Sequence, residues 1–585
     1  MLPLLLGSLS LSALVVGSSA ATRSSKSLEA AGQPVDLDGV KIEQVIAESV
    51  KGWVEEPAPM PRALPLLPAA SKPLDFCNIT ILYSHPAHSI VLTTTGVDGQ
   101  VRVNIWLPEE KEWNGRYLGQ GGSGHHAQES GIPDALAPAV SMGYAAANTD
   151  GGHSNAGDVV RVALDSTWWG VKSPGNVNYD LLQLYGWRSV GELGMLAKHI
   201  TEYFYGKKIQ YSYWNGCSTG GRQGMILAQR YPKLYQGIIS TAPSFNWVIF
   251  LVTEFYPHVV MKRLNYYPAP CELDAITAAA TAACDEIDGV KDGIVSAPGQ
   301  CKFDPKSVVG QKYTCGTDTR KITKQAAEVA SYAWSGPIDP ESGKPVWYGT
   351  TPDASMPGID PVFGGLATTK CDEKSQNCKS SPFGISADWI KTWVMKNPDF
   401  DLGTVDDEQF FDELLVKSYQ EYYSSINSAD ADLRRFRKAG GKLLGWHGLQ
   451  DQLIPPNGTS SYHDRVEAIV GPNINEFYRH FEAPGVAHCI GGPGAYPVAA
   501  FLDLVKWVEK GEAPDHILAQ NLPFPGQDMS TFKQFTRKLC PYPKVAAFTG
   551  DDENDAASFE CKDDFVTSTR VKDELYLGED VWRPR

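Results

Sequence analysis

Three features that would point to common classes of protein are missing from this chain. It has no excess of basic residues, since its 585 residues include 52 Lys and Arg against 68 Asp and Glu, a net charge of −16. This balance argues against nucleic-acid binding, which favours a basic surface. No stretch beyond the N-terminus is apolar and long enough to cross a membrane. The glycine-rich residues 119–124 lack the Lys-Ser/Thr of a phosphate loop and the full dinucleotide-binding spacing.

The N-terminus predicts a secretion signal. Residues 1–16 form a short apolar run that small residues follow, so we expect residues 1–20 to be removed, although basic residues are missing at the start. A membrane anchor is the alternative, and the run is short for that role. Eleven cysteines suit an oxidising compartment, and the acceptor sequons at Asn78 and Asn457 suit passage through a glycosylating pathway. We therefore predict a secreted, extracellular protein.

The length of the chain favours two domains, because 585 residues exceed what one core usually organises. Residues 22–75 contain proline-rich pieces and predict a partly ordered leader with little regular structure. Alternating β-type runs begin at Cys77, and residues 101–107 are the clearest of them. The α/β pattern stops after residue 243 and resumes at residue 441, which predicts an inserted domain at 248–430.

The segment YWNGCSTGGRQG, residues 213–224, predicts a nucleophile at Ser218. It combines a strand end, a tight turn and the start of a helix. Glycines at 216 and 220 let the backbone turn sharply, which lifts the serine hydroxyl clear of the sheet. The positive end of the helix then lies under the serine, which suits a reaction that builds an oxyanion. The motif alone is weak evidence in a chain with 55 glycines.

The residues around Ser218 have a counterpart later in the chain. Cys217 precedes the serine and Cys489 follows His488, 272 positions further on. A disulfide between these cysteines would place Ser218 and His488 side by side. Between them, an apolar strand runs into a loop that carries Asp451. The order serine, aspartate, histidine is that of an α/β-hydrolase triad.

Other residues compete for these roles. His447 lies four positions before Asp451 at a strand end, and we expect it to orient its neighbours. His463 and His480 are expected to be surface or packing histidines. Asp464 is an alternative acid, but it falls in the helix predicted after the loop.

The segments YGKKIQYSYWNGCSTGGRQGMILAQRYP, GLQDQLIPPNGT and APGVAHC resemble the tannase and feruloyl esterase family of secreted esterases. The resemblance covers the chain from about Phe76 to Cys561. It implies an α/β-hydrolase fold with a large inserted lid. The catalytic domain would consist of residues 21–247 and 431–585, and the lid of residues 248–430.

The resemblance also implies roles for site residues. Ser218 would be the nucleophile, His488 the base and then the acid toward the leaving alcohol, and Asp451 the group that orients the imidazole. The backbone N–H groups of Gly122 and Thr219 would receive the oxyanion.

A structural calcium ion in the lid is a further implication. The segment CDEIDGVKDGIV, residues 284–295, resembles the calcium loop of the family and does not match an EF-hand. The ligands implied are the side chains of Asp285, Asp288 and Asp292 and the carbonyls of Val290 and Ile294. Oxygen ligands separated by glycine turns suit Ca²⁺. An acidic, solvated turn is the alternative. The mechanism implied needs no catalytic cofactor.

The pairing of cysteines cannot be read from spacing alone. By resemblance we expect the pairs Cys217–Cys489, Cys284–Cys301 and Cys540–Cys561. Cys371–Cys378 is a pairing suggested by proximity. This leaves Cys77, Cys271 and Cys315, so at least one thiol lacks an evident partner.

The substrate is the least determined property. The family hydrolyses galloyl esters, hydroxycinnamoyl esters and a terephthalate monoester, which share a flat aromatic acid. The predicted lid offers aromatic side chains that could stack on such a ring, although most would be ordinary lid core: Trp247, Phe250, Phe255, Trp347, Tyr348, Trp389 and Trp393. Feruloyl esters of plant cell-wall material are favoured slightly over galloyl esters. Two hypotheses from other functional classes stay open. One is a serine peptidase, and the other is a catalytically silent polyphenol- or carbohydrate-binding protein.

Overall fold

The computed structural model describes residues 37, 39–54, 70–85, 91–93, 96–98, 100–128, 135–153, 163–359, 364–523, 530 and 532–565. The predicted signal, residues 1–20, lies outside this range. None of the helices in the described range is long and apolar enough to cross a membrane.

A mixed sheet forms the centre of the molecule, and nine strands of the described chain belong to it in the spatial order β1-β2-β3-β5-β4-β6-β7-β8-β9. In chain order the strands are β1 (Lys41–Trp53), β2 (Leu74–Ser84), β3 (Val101–Pro108), β4 (Arg116–Gln120), β5 (Ala145–Thr149), β6 (Tyr211–Cys217), β7 (Gly237–Thr241), β8 (Lys442–Gly448) and β9 (Tyr478–Ala483).

The sheet has an antiparallel edge and a parallel centre. β1 pairs antiparallel with β2, β2 with β3, and β3 with β5. From β5 onward every neighbouring pair is parallel. The parallel strands are buried along almost their whole length, as expected when helices cover both faces. Their carboxyl ends meet at one edge, where loops can bring distant residues together.

Helices cover the sheet and build the insertion. Those outside the insertion are α1 (Ala137–Ser141), α2 (Thr167–Gly170), α3 (Tyr179–Gln183), α4 (Ser189–Tyr205), α5 (Thr219–Arg230), α12 (Arg434–Lys438), α13 (Pro456–Val470) and α14 (Ala500–Lys510). Between β7 and β8 lie α6 (Trp247–Thr253), α7 (Tyr256–Leu264), α8 (Pro270–Cys284), α9 (Lys324–Ser335), α10 (Gly384–Asp388) and α11 (Leu415–Ile426). Three π-helical segments join or extend these helices: Leu184–Arg188, Trp389–Val394 and Gln409–Leu414.

Short two-stranded hairpins lie outside the central sheet. Their strand pairs are Val91–Thr93 with Gly96–Asp98, Val171–Ser173 with Asn176–Val177, Lys312–Cys315 with Asp318–Lys321, Thr369–Lys370 with Lys379–Ser380, Ile517–Gln520 with Thr536–Leu539, and Val545–Phe548 with Phe559–Lys562. None of them extends the central sheet.

The α/β architecture predicted from the sequence is confirmed, and one local expectation is wrong. Residues 22–75 were expected to have little regular structure, but β1 occupies Lys41–Trp53 and pairs along β2. Its side chains are largely half-buried or exposed, so the strand carries little apolar alternation. What holds it is backbone hydrogen bonding to the edge of a sheet that already exists, a tertiary effect that local pattern does not reveal.

In the described chain, the insertion consists of helices and short hairpins and adds no strand to the central sheet. It packs on itself through buried aromatic and polar contacts. The Trp389 indole donates to Ser418 Oγ (2.9 Å), and Ser418 Oγ donates to the Val248 carbonyl (2.6 Å). The exact limits 248 and 430 stay a prediction.

Candidate active site

Ser218 lies in a sharp turn between β6 and α5. It has φ 59° and ψ −120°, a region that non-glycine residues rarely occupy. The turn depends on Gly216, because a Cβ there would lie 2.4 Å from the Gly220 carbonyl. The Ser218 N–H donates to the carbonyl of Thr241 (3.1 Å), which ties the turn to the end of β7. Such strain, held by its surroundings, is characteristic of a nucleophile elbow.

His488 is brought to this turn by a covalent bond. The disulfide between Cys217 and Cys489 holds their Cα atoms 6.0 Å apart across 272 positions of sequence. Because Ser218 and His488 are the immediate neighbours of these cysteines, the bridge holds these two residues close together in space. The imidazole is about 14% exposed, so it can be reached from the outside.

Asp451 is completely buried beneath the histidine and is surrounded by donors. Its Oδ2 accepts from His488 Nδ1 (2.7 Å) and from His447 Nε2 (3.0 Å). Its Oδ1 accepts from the N–H groups of Leu453 (2.9 Å) and Ile454 (2.8 Å). Burial alone would raise the pKa of Asp451, but the charge of His488 and the hydrogen bonds from both histidines outweigh it and hold the pKa well below the ordinary 3.8.

The hydrogen bond to Asp451 settles which nitrogen of His488 can react. A carboxylate only accepts, so Nδ1 must carry the proton that it donates. Nε2 is then the atom left to take a proton from a nucleophile. The geometry therefore provides a base whose tautomer is fixed, as in serine hydrolases.

His447 has the orienting contacts expected of it. Its Nε2 faces Asp451 Oδ2 and the Ile454 carbonyl (3.1 Å), both of which only accept, so Nε2 is protonated. Its Nδ1 lies 2.8 Å from Thr459 Oγ1, whose hydroxyl can donate to it. A neutral His447 thus satisfies every contact around it. The Thr459 that makes this contact is also the last residue of the sequon at Asn457.

The competitors are engaged elsewhere. Asp464 accepts from the hydroxyl of Tyr542 (3.0 Å). His463 and His480 are buried in the core as packing residues, and burial lowers the pKa of His463 to about 4 and that of His480 well below its ordinary 6.5.

The glycine-rich loop after β4 lies against the elbow. The Gly220 N–H donates to the Gly122 carbonyl (2.8 Å), so loop and helix start are in direct contact. The Gly122 N–H, however, donates to Gln223 Oε1 (2.9 Å), and Gln223 Nε2 donates to the Ala127 carbonyl (3.1 Å). A glutamine of α5 thus already accepts from the Gly122 N–H, and the role of Gly122 as an oxyanion donor stays a prediction.

Thr219 stays the second predicted oxyanion donor. It is the first residue of α5, so its N–H has no acceptor within the helix. Its hydroxyl donates to the Gly124 carbonyl (2.6 Å), as does the hydroxyl of Tyr185 (2.6 Å). These contacts fix the start of the helix relative to the loop.

The predicted calcium loop brings acidic groups together but gives them other partners. Asp285 Oδ1 accepts from the N–H groups of Asp292, Gly293 and Ile294, and Asp292 Oδ2 pairs with Arg537 (2.6 Å). Burial, then the charges of Asp292 and Asp285, raise the pKa of Asp288 to about 6. The described residues include no group of three or more His, Cys, Asp or Glu side chains arranged to hold a metal. The N–H groups of Val290 and Ile294 donate to aspartates of the loop, and the role of their carbonyls as ligands stays a prediction.

The described chain contains five disulfides. They are Cys217–Cys489, Cys284–Cys301, Cys540–Cys561, Cys371–Cys378 and Cys271–Cys315. The last pair had been left open by the sequence. Cys77, half-buried in β2, is the one free cysteine of the described residues.

The two sequon asparagines lie in different settings. Asn78 is half-buried in β2, opposite Glu48 of β1 and Trp106 of β3. Asn457 is half-buried in the first turn of α13, directly after the Asp451 loop. Glycosylation at both stays a prediction.

Comparisons with known proteins agree on one family. The profile of the family described as "Tannase and feruloyl esterase" matches residues 89–562. A probable feruloyl esterase of Arthroderma benhamiae is 38% identical over 577 residues, covering 96% of this chain and 99% of that protein. A tannase of Aspergillus oryzae is 27% identical over 84% of this chain and 85% of that protein. Among solved structures, the tannin acyl hydrolase from Aspergillus niger superposes with a TM-score of 0.77 at 27% identity, covering 92% of this chain and 94% of that chain.

Proposed function

The chain belongs to the tannase and feruloyl esterase family, and we propose that it is a secreted serine esterase that cleaves esters of hydroxycinnamic acids. That it is a carboxylic ester hydrolase follows from the family. Feruloyl esters are favoured because the relative at 38% identity is named as a probable feruloyl esterase, whereas the tannase is 27% identical. Tannase activity on galloyl esters is the second candidate, since both names occur among the relatives.

The observation that carries the mechanism is the contact of Asp451 with His488 beside the disulfide that adjoins Ser218. As His488 Nε2 removes the hydroxyl proton, Ser218 Oγ attacks the ester carbonyl. His488 then returns the proton to the leaving alcohol, and an acyl-enzyme remains. Water, deprotonated by the same imidazole, adds to the acyl group and releases the acid.

Two groups stabilise the charges that form during attack. The anionic Asp451 stabilises the imidazolium, and its depressed pKa keeps it ionised throughout. The Thr219 N–H, at the positive end of α5, faces the oxyanion; one such donor contributes roughly 3–4 kcal/mol in comparable sites.

Secretion has independent support from the cysteines. The five disulfides of the described chain suit an oxidising compartment. The apolar N-terminal run is the sequence feature that would direct export. The chain is then an extracellular enzyme acting on small aromatic esters or on such esters linked to polysaccharide.

A structural Ca²⁺ in the insertion is proposed from the chemistry of residues 285–294. Burial, and then the charges of Asp292 and Asp285, raise the pKa of Asp288, and a divalent cation would stabilise its anionic form against both. We expect added Ca²⁺ to raise the Tm at pH 7 and to lose this effect as the pH falls below about 6, because protonated Asp288 no longer favours the ion. Thermal unfolding with Ca²⁺ or EDTA measures this, and an Asp288→Asn variant should not respond. Equal Tm values under both conditions would contradict the proposal.

The activity is tested by hydrolysis of methyl ferulate and methyl gallate side by side. We expect faster hydrolysis of the ferulate, and loss of both activities in Ser218→Ala. Ser424→Ala, an exposed serine of α11, is the matched control and should retain activity. A strong preference for the gallate would identify a tannase instead, and activity in Ser218→Ala would rule out Ser218 as the nucleophile.

A further inference from the structure

The glycine-rich loop beside Ser218 is fixed on its inner side by the catalytic core. Gln223 of α5 holds Gly122 and Ala127, as described above. The hydroxyls of Thr219 and Tyr185 both donate to the Gly124 carbonyl. These contacts all come from residues of the catalytic core.

The other side of the loop is held by the insertion. Asp388, the last residue of α10, places Oδ2 2.9 Å from Nε2 of His125, the residue that follows Gly124. The two side chains are about 7% and 1% exposed. The ring N–H is not aimed along the line between the two atoms, so this is a close polar contact and not a directed hydrogen bond.

Asp388 is itself fixed by two hydrogen bonds, and one of the two donors is held in turn by a tryptophan. Ser166 Oγ donates to its Oδ2, and Thr392 Oγ1 donates to its Oδ1 (2.8 Å). Trp393 Nε1 in turn donates to Ser166 Oγ (2.8 Å). The position of the Asp388 carboxylate is therefore fixed by these hydrogen bonds. Because the carboxylate contacts His125, it limits the positions that the glycine-rich loop can adopt.

His125 is equally constrained through its backbone. Its N–H donates to the Ala163 carbonyl (2.9 Å), and its carbonyl accepts from His153 Nε2 (2.9 Å). Its ring packs near the rings of Trp247 (6.0 Å between centroids) and Tyr185 (6.3 Å). Because ring and backbone are both held, the position of the His125 side chain and that of the loop backbone depend on each other.

Stability alone is a weak reason for a buried contact of this kind. Taking a carboxylate and an imidazole out of water costs several kcal/mol, which their attraction offsets only in good geometry, and apolar residues of similar size often stabilise a protein more. Positional control is a better account, because the contact joins the insertion to a loop that contacts the elbow directly.

We propose that Asp388 is a positioning residue for ester hydrolysis, which acts through His125 to hold the glycine-rich loop against the Ser218 elbow. The insertion then contributes to the geometry of the site in which the ester is cleaved. This inference rests on the proposed function, since it assumes that Ser218 is the nucleophile.

Asp388→Asn tests the proposal, because asparagine keeps the shape and can still accept from Ser166 or Thr392. We expect kcat to fall about 10- to 100-fold with KM changed less than about twofold, since a displacement near 1 Å at a reacting centre can cost about a hundredfold. Concentrations of active enzyme are set by titration with a covalent serine-directed probe, so a smaller folded fraction does not count as a lower kcat. Asp407→Asn, which removes the exposed pair with Arg263 inside the insertion, is the control and should behave as the wild type.

His125→Asn and the double variant complete the design. If both residues act through one contact, the double variant loses no more than the larger single loss. Should Asp388→Asn yield no active sites to titrate, His125→Asn alone is measured against the same expectation. An unchanged kcat per titrated site, a rise in KM alone, or additive losses would each overturn the proposal. Activity or probe labelling in Ser218→Ala would instead overturn the proposed function.

Discussion

Two buried carboxyl groups near the active site behave in opposite ways. Asp451 lies in the loop after β8, and Glu254 directly follows α6 in the insertion. Both side chains are almost fully buried. Glu254 and Pro455 of the Asp451 loop line one small cavity. The pKa of Asp451 is held far below its ordinary value, whereas burial and then the charge of Asp451 raise the pKa of Glu254 well above 4.5.

Donors explain this difference. Asp451 accepts four hydrogen bonds, while neither carboxyl oxygen of Glu254 has a hydrogen-bond partner in the described part of the protein. A buried carboxyl is thus an anion where the chain supplies N–H groups and a neutral acid where it does not. Burial alone decides neither the charge nor the function of such a group.

Removing the charge from Asp451 should have the largest effect. Asp451→Asn can no longer fix the protonated Nδ1 of His488, so we expect kcat to fall about 10⁴-fold. The measurement is kcat per site titrated with the serine probe. Asp464→Asn is the matched control and should be close to the wild type, because the Asp464 carboxylate accepts from the hydroxyl of Tyr542. A loss of less than about tenfold in Asp451→Asn would mean that another acid orients the histidine.

Removing one donor from Asp451 should have a smaller effect. A hydrogen bond to a charged group contributes about 1.5–3 kcal/mol. We therefore expect His447→Leu to lower kcat about 10- to 100-fold, and His447→Gln, which keeps an N–H that can reach the carboxylate, to lose less. Both variants are compared with the wild type at one pH, with kcat per titrated site as the measurement. Equal losses in both variants would show that packing, not donation, is what His447 supplies.

Glu254→Gln should change stability and leave kcat nearly unaltered. Because the folded pKa of Glu254 is raised, the folded protein keeps a proton that the unfolded chain releases. The wild type then has its full stability below about pH 4.5 and loses it as the pH rises toward the raised pKa. Relative to Glu254→Gln, it should lose about 1.4 kcal/mol per pH unit above 4.5.

Denaturant unfolding between pH 4 and pH 8 measures this difference, with the exposed Glu373→Gln as control. Stability curves of wild type and Glu254→Gln that run parallel over this range would show that Glu254 ionises in the folded protein as it does in the unfolded chain.

The central part of the site could be predicted because it depends on local chemistry. The turn at Ser218 needs glycine at 216, where a Cβ would strike the backbone of Gly220. Asp451 and His488 follow buried parallel strands, whose carboxyl ends converge at one edge of the sheet. Of the three predicted triad residues, Ser218 and His488 each have a cysteine directly beside them in the sequence. The α/β fold follows from the same alternation of strands and helices.

What could not be predicted depends on side chains that meet across elements. The side chain of Gln223 accepts from the N–H of Gly122, which lies 101 positions earlier in the sequence. The sequence of a glycine-rich loop does not show which acceptors its N–H groups will have. The contact of Asp388 with His125 joins two segments separated by most of the insertion. The Cys271–Cys315 bridge is similar, because several pairings of the remaining cysteines were open.

The bridge between Cys217 and Cys489 also closes a covalent ring that contains the whole insertion. A protease that cuts once at Lys262-Arg263 or Arg320-Lys321 would divide the polypeptide without dividing the molecule. One piece would carry Ser218 and the other His488, and they would part only on reduction. A nicked enzyme of this topology would run as a single species without reductant and as two bands with it, its nucleophile and base still tethered in the uncut geometry.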